Sequence, residues 1–506
     1  MCSSGGRFGD DSRALGAGRA RILRQLLTES LILSTIGGVF GFGLAALTRV
    51  ALTRYAASAI PLFAVVQIDR TVMFFAIALS LLAPVIFGIV PALNTSRSEQ
   101  VSERGESASR ETGALRNLLV AMEVALSVVL VVGAVLLVRS LARLQDVDPG
   151  FTRDHAITFT MTLPSARYAD NAARYRAFVD IERRLREQPG VQAVGATSTL
   201  ALRGFTWSGD TTIEGRAAID YERDTRHASA TPTYFSAMGI RLLAGRLFDA
   251  GDTRDKPQVT IVNETLARRY FRQLANDAVV GKRVAFGRPQ DNSPWVTIVG
   301  VVADEKQDGM DRPAEPTEYS SLGQRMQNPL TFVVRTTVDT DAAFGGARAQ
   351  VRAVDKDLAL TQIATLQNVV DNSLADATFR TTLLSAFAGI ALLLAALGIY
   401  GVLAYFVSQR SREIGIRLAL GARPETLFRM VVWQGMRPVA IGAALGLAGA
   451  VAVTTLMQSL LFSVTPVDPW AYVVATAALA AIALAACAMP ALRATRVDPL
   501  VALRDE

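Results

Sequence analysis

Cysteine and histidine are scarce: 506 residues include only Cys2, Cys487, His155 and His227. Two thiols at opposite ends of a chain exclude a disulfide-stapled scaffold and any cysteine-rich metal site. Two isolated histidines, with no His or Cys nearby at ligand spacing, leave little for a zinc site or an imidazole acid–base pair. Charge is thin too, at 19% of residues, against about 25% in soluble domains. Apolar residues make up 51% and mean hydropathy is +0.30, which excludes a disordered chain and argues against a wholly soluble one. Residues 1–11 hold no apolar stretch, so a cleavable leader is not expected. Nor is Cys2 expected to be lipidated, and insertion falls to the first spanning helix.

The apolar residues sit in blocks. Six stretches, at 31–47, 71–93, 118–138, 383–407, 439–457 and 470–492, approach or exceed the roughly 20 helical residues that cross a bilayer. Lipid offers no partner to a backbone amide, so helices are expected. Arginine sets the orientation. Arg13, Arg19, Arg21 and Arg24 precede the first span, and Arg97, Arg104, Arg110 and Arg116 separate the second from the third. Arg410, Arg412, Arg417, Arg423 and Arg429 separate the fourth from the fifth, and Arg493, Arg496 and Arg504 follow the sixth. The loop 463–469 has no Lys or Arg, while Arg49 and Arg54 after the first span run mildly against the pattern. By the positive-inside rule both termini are cytoplasmic and the long segment 146–377 lies outside. Topology thus absorbs much of the net charge of +7, and no aromatic-interleaved basic stripe points to nucleic acid.

The chain copies itself. Ala14-Leu15-Gly16-Ala17 matches Ala419-Leu420-Gly421-Ala422, Arg24 aligns with Arg429, and Pro91-Ala92-Leu93 aligns with Pro490-Ala491-Leu492. Gly37 and Gly41 align with Gly442 and Gly446, a small-xxx-small spacing that lets helix backbones approach closely, so these four glycines are expected at helix contacts. The first copy starts at its turn, without an opening span or outer domain, and reads as the remainder of a truncated longer unit.

The outer segment reads as an α+β domain with two lobes, the second near 226–312. Alternation over 155–164 predicts a half-buried strand. Asn171 is expected to cap a helix with Tyr175, Phe178, Ile181 and Leu185 on one side, stopped by Pro189-Gly190. Further strands are expected at 191 onward, 259–262, 296–302 and 330–338, and helices at 264–274 and 341–354. Catalytic patterns are missing. There is no Gly-x-Ser-x-Gly elbow. Gly281-Lys282 resembles the end of a phosphate-binding loop, but Arg283 stands where the Mg²⁺-binding hydroxyl belongs and Asn276 where the first Gly belongs. Asp304-Glu305 reads as a solvated turn. Glu123 lies inside the third span, either as a polar contact between helices or with substrate, or reaching back toward the headgroups near Arg116.

The most informative segment is Ser411-Arg412-Glu413-Ile414-Gly415-Ile416-Arg417-Leu418-Ala419-Leu420-Gly421-Ala422. Ile416 and Leu420 are one helical turn apart, Gly421 can end the helix, and Pro424 can open the next. The result is a short cationic amphipathic helix at the membrane surface, a lipid anchor or a docking element.

This turn resembles the one that follows the large outer domain in MacB/FtsX-type ABC permeases. So does the closing Pro490-Ala491-x-x-Ala494-x-Arg496-Val497-Asp498-Pro499-x-x-Ala502-Leu503-Arg504. Asp148-Pro149-Gly150-Phe151, Tyr234-Phe235-x-x-Met238-Gly239-Ile240 and Gly245-Arg246-x-Phe248 resemble the duplicated-permease branch. The resemblance implies an α-helical membrane protein of about six spans with one large α+β extracytoplasmic domain, in a bacterial inner membrane. It implies these parts: 1–27 a remnant of the first coupling turn, 28–93 a first-copy helix pair, 94–115 a cytoplasmic linker, 116–143 a helix leading outward, 144–378 the outer domain, and 379–506 a permease domain of three spans. It implies no enzyme activity and no cofactor. A separate cytoplasmic ABC ATPase would dock on Arg412, Glu413, Ile414, Gly415, Ile416, Arg417, Leu420, Gly421 and Ala422. A second permease copy or a periplasmic adaptor would be a further partner. A regulator of an envelope enzyme, and an inactive fragment of a longer permease, stay open as alternatives.

Overall fold

A computed structural model describes parts of residues 28–47 and 70–80. It also describes 107–495 apart from 204–206, 217–221, 273, 289–290, 292, 411–412, 415, 418–419 and 421–422. Expectations for 1–27, 81–106 and the closing motif beyond residue 495 lie outside the described residues. The described chain divides into a helical unit, 1–141 with 377–506, and a sheet unit, 142–376.

The helical unit opens with an apolar helix over Ser34–Leu47. Helix α1 (Ser107–Gln145) follows, its stretch Arg116–Gln145 long and apolar enough to cross a membrane. One side of it is fully covered, at Val120, Val124, Val128 and Val132, while Met122 and Leu126 stay exposed on the other. That division suits a spanning helix with protein behind it and lipid in front.

The sheet unit begins with β1 (Ala156–Met161). Alternating Thr residues predict one wet face here, yet all six residues are buried. The threonine face is covered because its hydroxyls are engaged: Arg203 donates to Thr158 Oγ1 at 2.8 Å and Thr160 pairs with Thr331 at 2.9 Å. Helix α2 (Asn171–Arg186) is capped one residue earlier than expected, by Asp170, whose Oδ1 accepts from Ala173 N at 2.6 Å. Its Phe178, Ile181 and Leu185 are buried as the spacing predicts. The strands β2 (Val191–Thr197), β3 (Ser208–Ile213) and β4 (Glu222–Ala230) come next, then the short helix α3 (Tyr234–Met238) and β5 (Leu242–Gly245). They are followed by β6 (Val259–Asn263), α4 (Glu264–Tyr270), β7 (Arg283–Phe286), β8 (Trp295–Val302) and β9 (Thr317–Ser321). The unit closes with β10 (Leu330–Thr336), α5 (Thr340–Val354), β11 (Leu360–Thr365) and α6 (Leu366–Ser373).

Pairing follows the order β11-β1-β10-β2-β4-β3-β7-β8-β6-β9, and β9 returns to β4 in parallel. Two lobes result. In the first, β11, β1, β10 and β2 form an antiparallel sheet backed by α2 and α5. Phe159, Phe178 and Phe332 stack at its centre with ring centroids 5.1 Å apart. In the second, β4, β3, β7, β8, β6 and β9 close a ring, with β5 added alongside β8. Its own core gathers Ile213, Val262, Leu266, Val284 and Val301. A single residue pair, Thr197 with Ala230, joins β2 to β4 between the lobes.

The motif residues of the sheet unit prove to be locks. Gly150 holds φ +83 where any Cβ would strike the Asp304 and Glu305 backbone. Asp148 accepts from its amide at 2.9 Å. Arg246 clamps Asp252 through two 2.8 Å contacts.

Three long helices complete the helical unit: α7 (Ala375–Gln409), α8 (Pro424–Leu456) and α9 (Pro469–Thr495). Four helices of the described residues, α1 and α7 to α9, are therefore long and apolar enough to cross a membrane. Ala395, Leu403, Val431, Ala450, Ala475 and Cys487 pack with the valines of α1 into one core. At one end Arg139 of α1 meets Asp468 at 2.5 Å, and Ser140 Oγ accepts from Phe462 N at 2.8 Å.

Candidate functional site

The connection between α7 and α8 carries the predicted turn. Pro424 opens α8, as its fixed φ favours. Ile414 N reaches Arg410 O at 2.9 Å and Leu420 N reaches Ile416 O at 3.0 Å, so helical bonding continues past α7. Glu413 sits between two cations, 2.6 Å from Arg417 and 3.7 Å from Arg410. Arg412, Gly415, Gly421 and Ala422 lie outside the described residues.

Ile414 is the anchor. It is 1% exposed and belongs to the helical core beside Leu403, Leu427 and Val431. Burying such a side chain is worth about 2 to 3 kcal/mol. Ile416 is 42% exposed and Leu420 82%. The turn is thus held from behind by one isoleucine and presents two apolar side chains forward, flanked by Arg417 and Arg423. The pair Ile416 and Leu420 is legible from spacing, but Ile414 as their support is not, because the sequence does not say which face meets α8.

The glycines of the repeat part company. A Cβ at Gly442 would stand 2.8 Å from Val124 Cβ, and one at Gly446 would stand 2.7 Å from Val128 Cβ. The α8 backbone therefore lies directly against α1. Gly37 and Gly41 meet nothing within 4 Å among the described residues. The close approach in the first copy falls at Gly38, against Ser80 Oγ, and Ser34 Oγ donates to Ser80 O.

Glu123 points at α7, its carboxylate where a Cβ of Gly398 would stand. Ser127 one turn along donates to Ala391 O at 3.0 Å, tying the same two helices. Arg116 lies on the Tyr405 ring, 3.9 Å from its centroid, rather than on Glu123.

In the sheet unit Asp304-Glu305 is no solvated turn. Asp304 accepts from Thr265 N at 2.8 Å and Thr265 Oγ1 at 2.7 Å. Glu305 is buried, receives the Tyr319 hydroxyl at 2.6 Å, and is raised by burial to about 7. His155 holds φ +53 at the head of β1 and is exposed. His227 is buried and pushed down to about 4 by desolvation, with the Arg325 charge adding to it. Among the described residues no group of three His, Cys, Asp or Glu could hold a metal ion.

Two families match the chain. The FtsX-like permease C-terminal family covers residues 12–100 and again 385–499. The MacB-like periplasmic core domain covers 118–354. The Macrolide export ATP-binding/permease protein MacB of Burkholderia pseudomallei (strain 1710b) is 28% identical over 286 residues, 53% of this chain and 41% of that protein. The protein of the same name in Agrobacterium fabrum is 25% identical over 326 residues, 62% of this chain and 47% of that protein. The chain thus spans less than half the length of these relatives. The crystal structure of the periplasmic region of MacB from Actinobacillus actinomycetemcomitans aligns with 45% of this chain and 95% of its own, at 18% identity and a TM-score of 0.30. With one family matched twice around the other, and four apolar helices beside a large mixed α/β unit, the chain belongs to the MacB/FtsX-type permeases of bacterial inner membranes.

Proposed function

We propose that this chain is the membrane subunit of an ABC transporter and relays movement from a cytoplasmic ATPase to the sheet unit on the other side of the membrane. The chain crosses several times with both termini in the cytoplasm, as the arginine distribution supports. The observation that carries the reading is the α7–α8 turn. Leu420 and Ile416 stand exposed on a support buried at Ile414, and the pair Glu413–Arg417 stiffens the helical turn between them. An exposed apolar pair on a fixed mount is what a partner surface needs, because little of its binding energy then goes into ordering. ATP-dependent closure of the motor shifts the turn, and the attached α7 passes the shift outward. Such a relay requires two states that the nucleotide biases. Relatives named for macrolide export support export as the use of the stroke.

The test is a photo-crosslinking residue placed at Leu420 or at Ile414 in membranes of the producing cell. An ABC ATPase captured at 420 and absent at 414 is the expected result. Capture of lipid alone at 420 makes the turn a membrane anchor and ends the docking reading.

A further inference from the structure

Where the four-stranded lobe meets the closed ring, the sheet unit holds a cavity of about 310 Å³. Ser198 after β2, His227 and Ser229 of β4, Ser320 of β9, Trp207 before β3 and Arg325 after β9 line it. A volume of this order matches the small end of ligand pockets, about 300 Å³, enough for a one- or two-ring molecule.

The polar groups there are unequal. Arg325 is exposed and makes no ion pair or side-chain hydrogen bond among the described residues; its guanidinium lies 5.2 Å from the centre of the Phe286 ring. The Trp207 indole N–H has no acceptor among the described residues, and the side chain is 44% exposed. No Asp or Glu lines the cavity. His227, 5.2 Å from Trp207 and 5.0 Å from Phe286 between ring centres, contributes a neutral aromatic wall. Its polar neighbours are the Gly209 backbone and, each 3.5 Å away, Thr211 and Glu318. The carboxylate whose charge Arg325 feels is Glu318, buried against His227 and not part of the cavity wall. The cavity therefore offers an exposed guanidinium that makes no ion pair among the described residues, N–H donors, serine hydroxyls and an aromatic wall. A guanidinium in this setting binds a carboxylate through two parallel contacts, and an indole face adds stacking.

We propose that this cavity is a binding site for a small organic carboxylate that carries a flat ring. Arg325 takes the carboxylate, the serines complete its hydrogen bonds, and the ring lies against Trp207. The site is independent of the docking turn.

The experiment is calorimetric titration of the full chain in detergent micelles with 1-naphthoate, with neutral 1-naphthamide, and with sodium sulfate. Saturable one-to-one binding of naphthoate is expected, with a Kd on the order of 0.1 mM and at least tenfold weaker binding of the amide. Arg325→Gln is expected to weaken naphthoate about tenfold and leave the amide unchanged. Trp207→Leu is expected to weaken both. Arg325 is exposed and makes no ion pair among the described residues, so its variant should melt close to the wild type and keeps the test decisive if Trp207→Leu folds poorly. Equal affinity for acid and amide, unchanged binding in Arg325→Gln, or displacement by equimolar sulfate would overturn the proposal. So would the absence of saturable heat.

Discussion

At the scale of single residues, buried ionisable groups in the sheet unit give the clearest consequences. Glu305 holds its proton more tightly in the folded chain, at about 7, than the 4.5 of an ordinary glutamate. Its protonated form is the one that suits burial, so its contribution is fully present below about pH 4.5 and is lost as pH rises through 7. Glu318 behaves the same way, raised to about 7 by burial. His227 works in the opposite sense. Its folded value is depressed to about 4, so its contribution is lost as pH falls from 6.5 toward 4. Comparing wild type with Glu305→Gln isolates one group: the stability advantage of wild type should shrink from pH 5 to pH 8, read as melting midpoints of the sheet unit. A constant difference across that range removes the assignment. Close packing at Gly446 makes a second prediction. Gly446→Val forces a branched side chain into Val128 and Ala125 of α1. It should cost about 1 to 3 kcal/mol, seen as a lower melting midpoint in micelles.

Elements show how far the sequence can be read. The helices α2 and α5 and the strands β6, β8 and β10 are legible because their apolar periods are clean and their stops are Gly, Pro or Asp. The strands β3, β4 and β7 are not. β3 and β4 are rich in Thr, Ser, Asp, His and Arg, and β7 is only four residues long; their strand character comes from ring closure and buried hydrogen bonds such as Thr212 Oγ1 to Gly287 O at 2.8 Å. Likewise the lone cation Arg325 and the neutral His227 are invisible as a pair until β4 and the loop after β9 come together. The turn after α7 was legible as a motif, but its mount was not. That distinction can be measured. Ile414→Ala should destabilise the helical unit by about 2 to 4 kcal/mol, as other buried large-to-small changes do. Leu420→Ala should leave stability within about 0.5 kcal/mol, the usual range for exposed sites, and, on the docking proposal, reduce stimulation of the proposed ATPase partner. Both variants with equal melting midpoints would show that Ile414 is not the anchor.

At the scale of the whole molecule, the division into helical and sheet units at residues 142 and 376 follows the distribution of apolar runs. If the proposed topology holds, protease added to spheroplasts should release fragments from 142–376 while leaving α7 to α9 intact. The same protease on inverted vesicles should spare that segment and cut near the α7–α8 turn. The reverse pattern would place the sheet unit in the cytoplasm and exclude the relay.

The junction of Thr197 with Ala230 has a mechanical consequence. A closed ring resists bending, and a four-stranded sheet clamped by two helices is nearly as stiff. Twist between the two is nevertheless resisted by more than that rung, because Thr231 and Ser198 hydrogen-bond across it and α3 sets Tyr234 against Gly195 of β2 and Phe235 against Tyr319 of β9, so a load on either part reaches the other as shared strain.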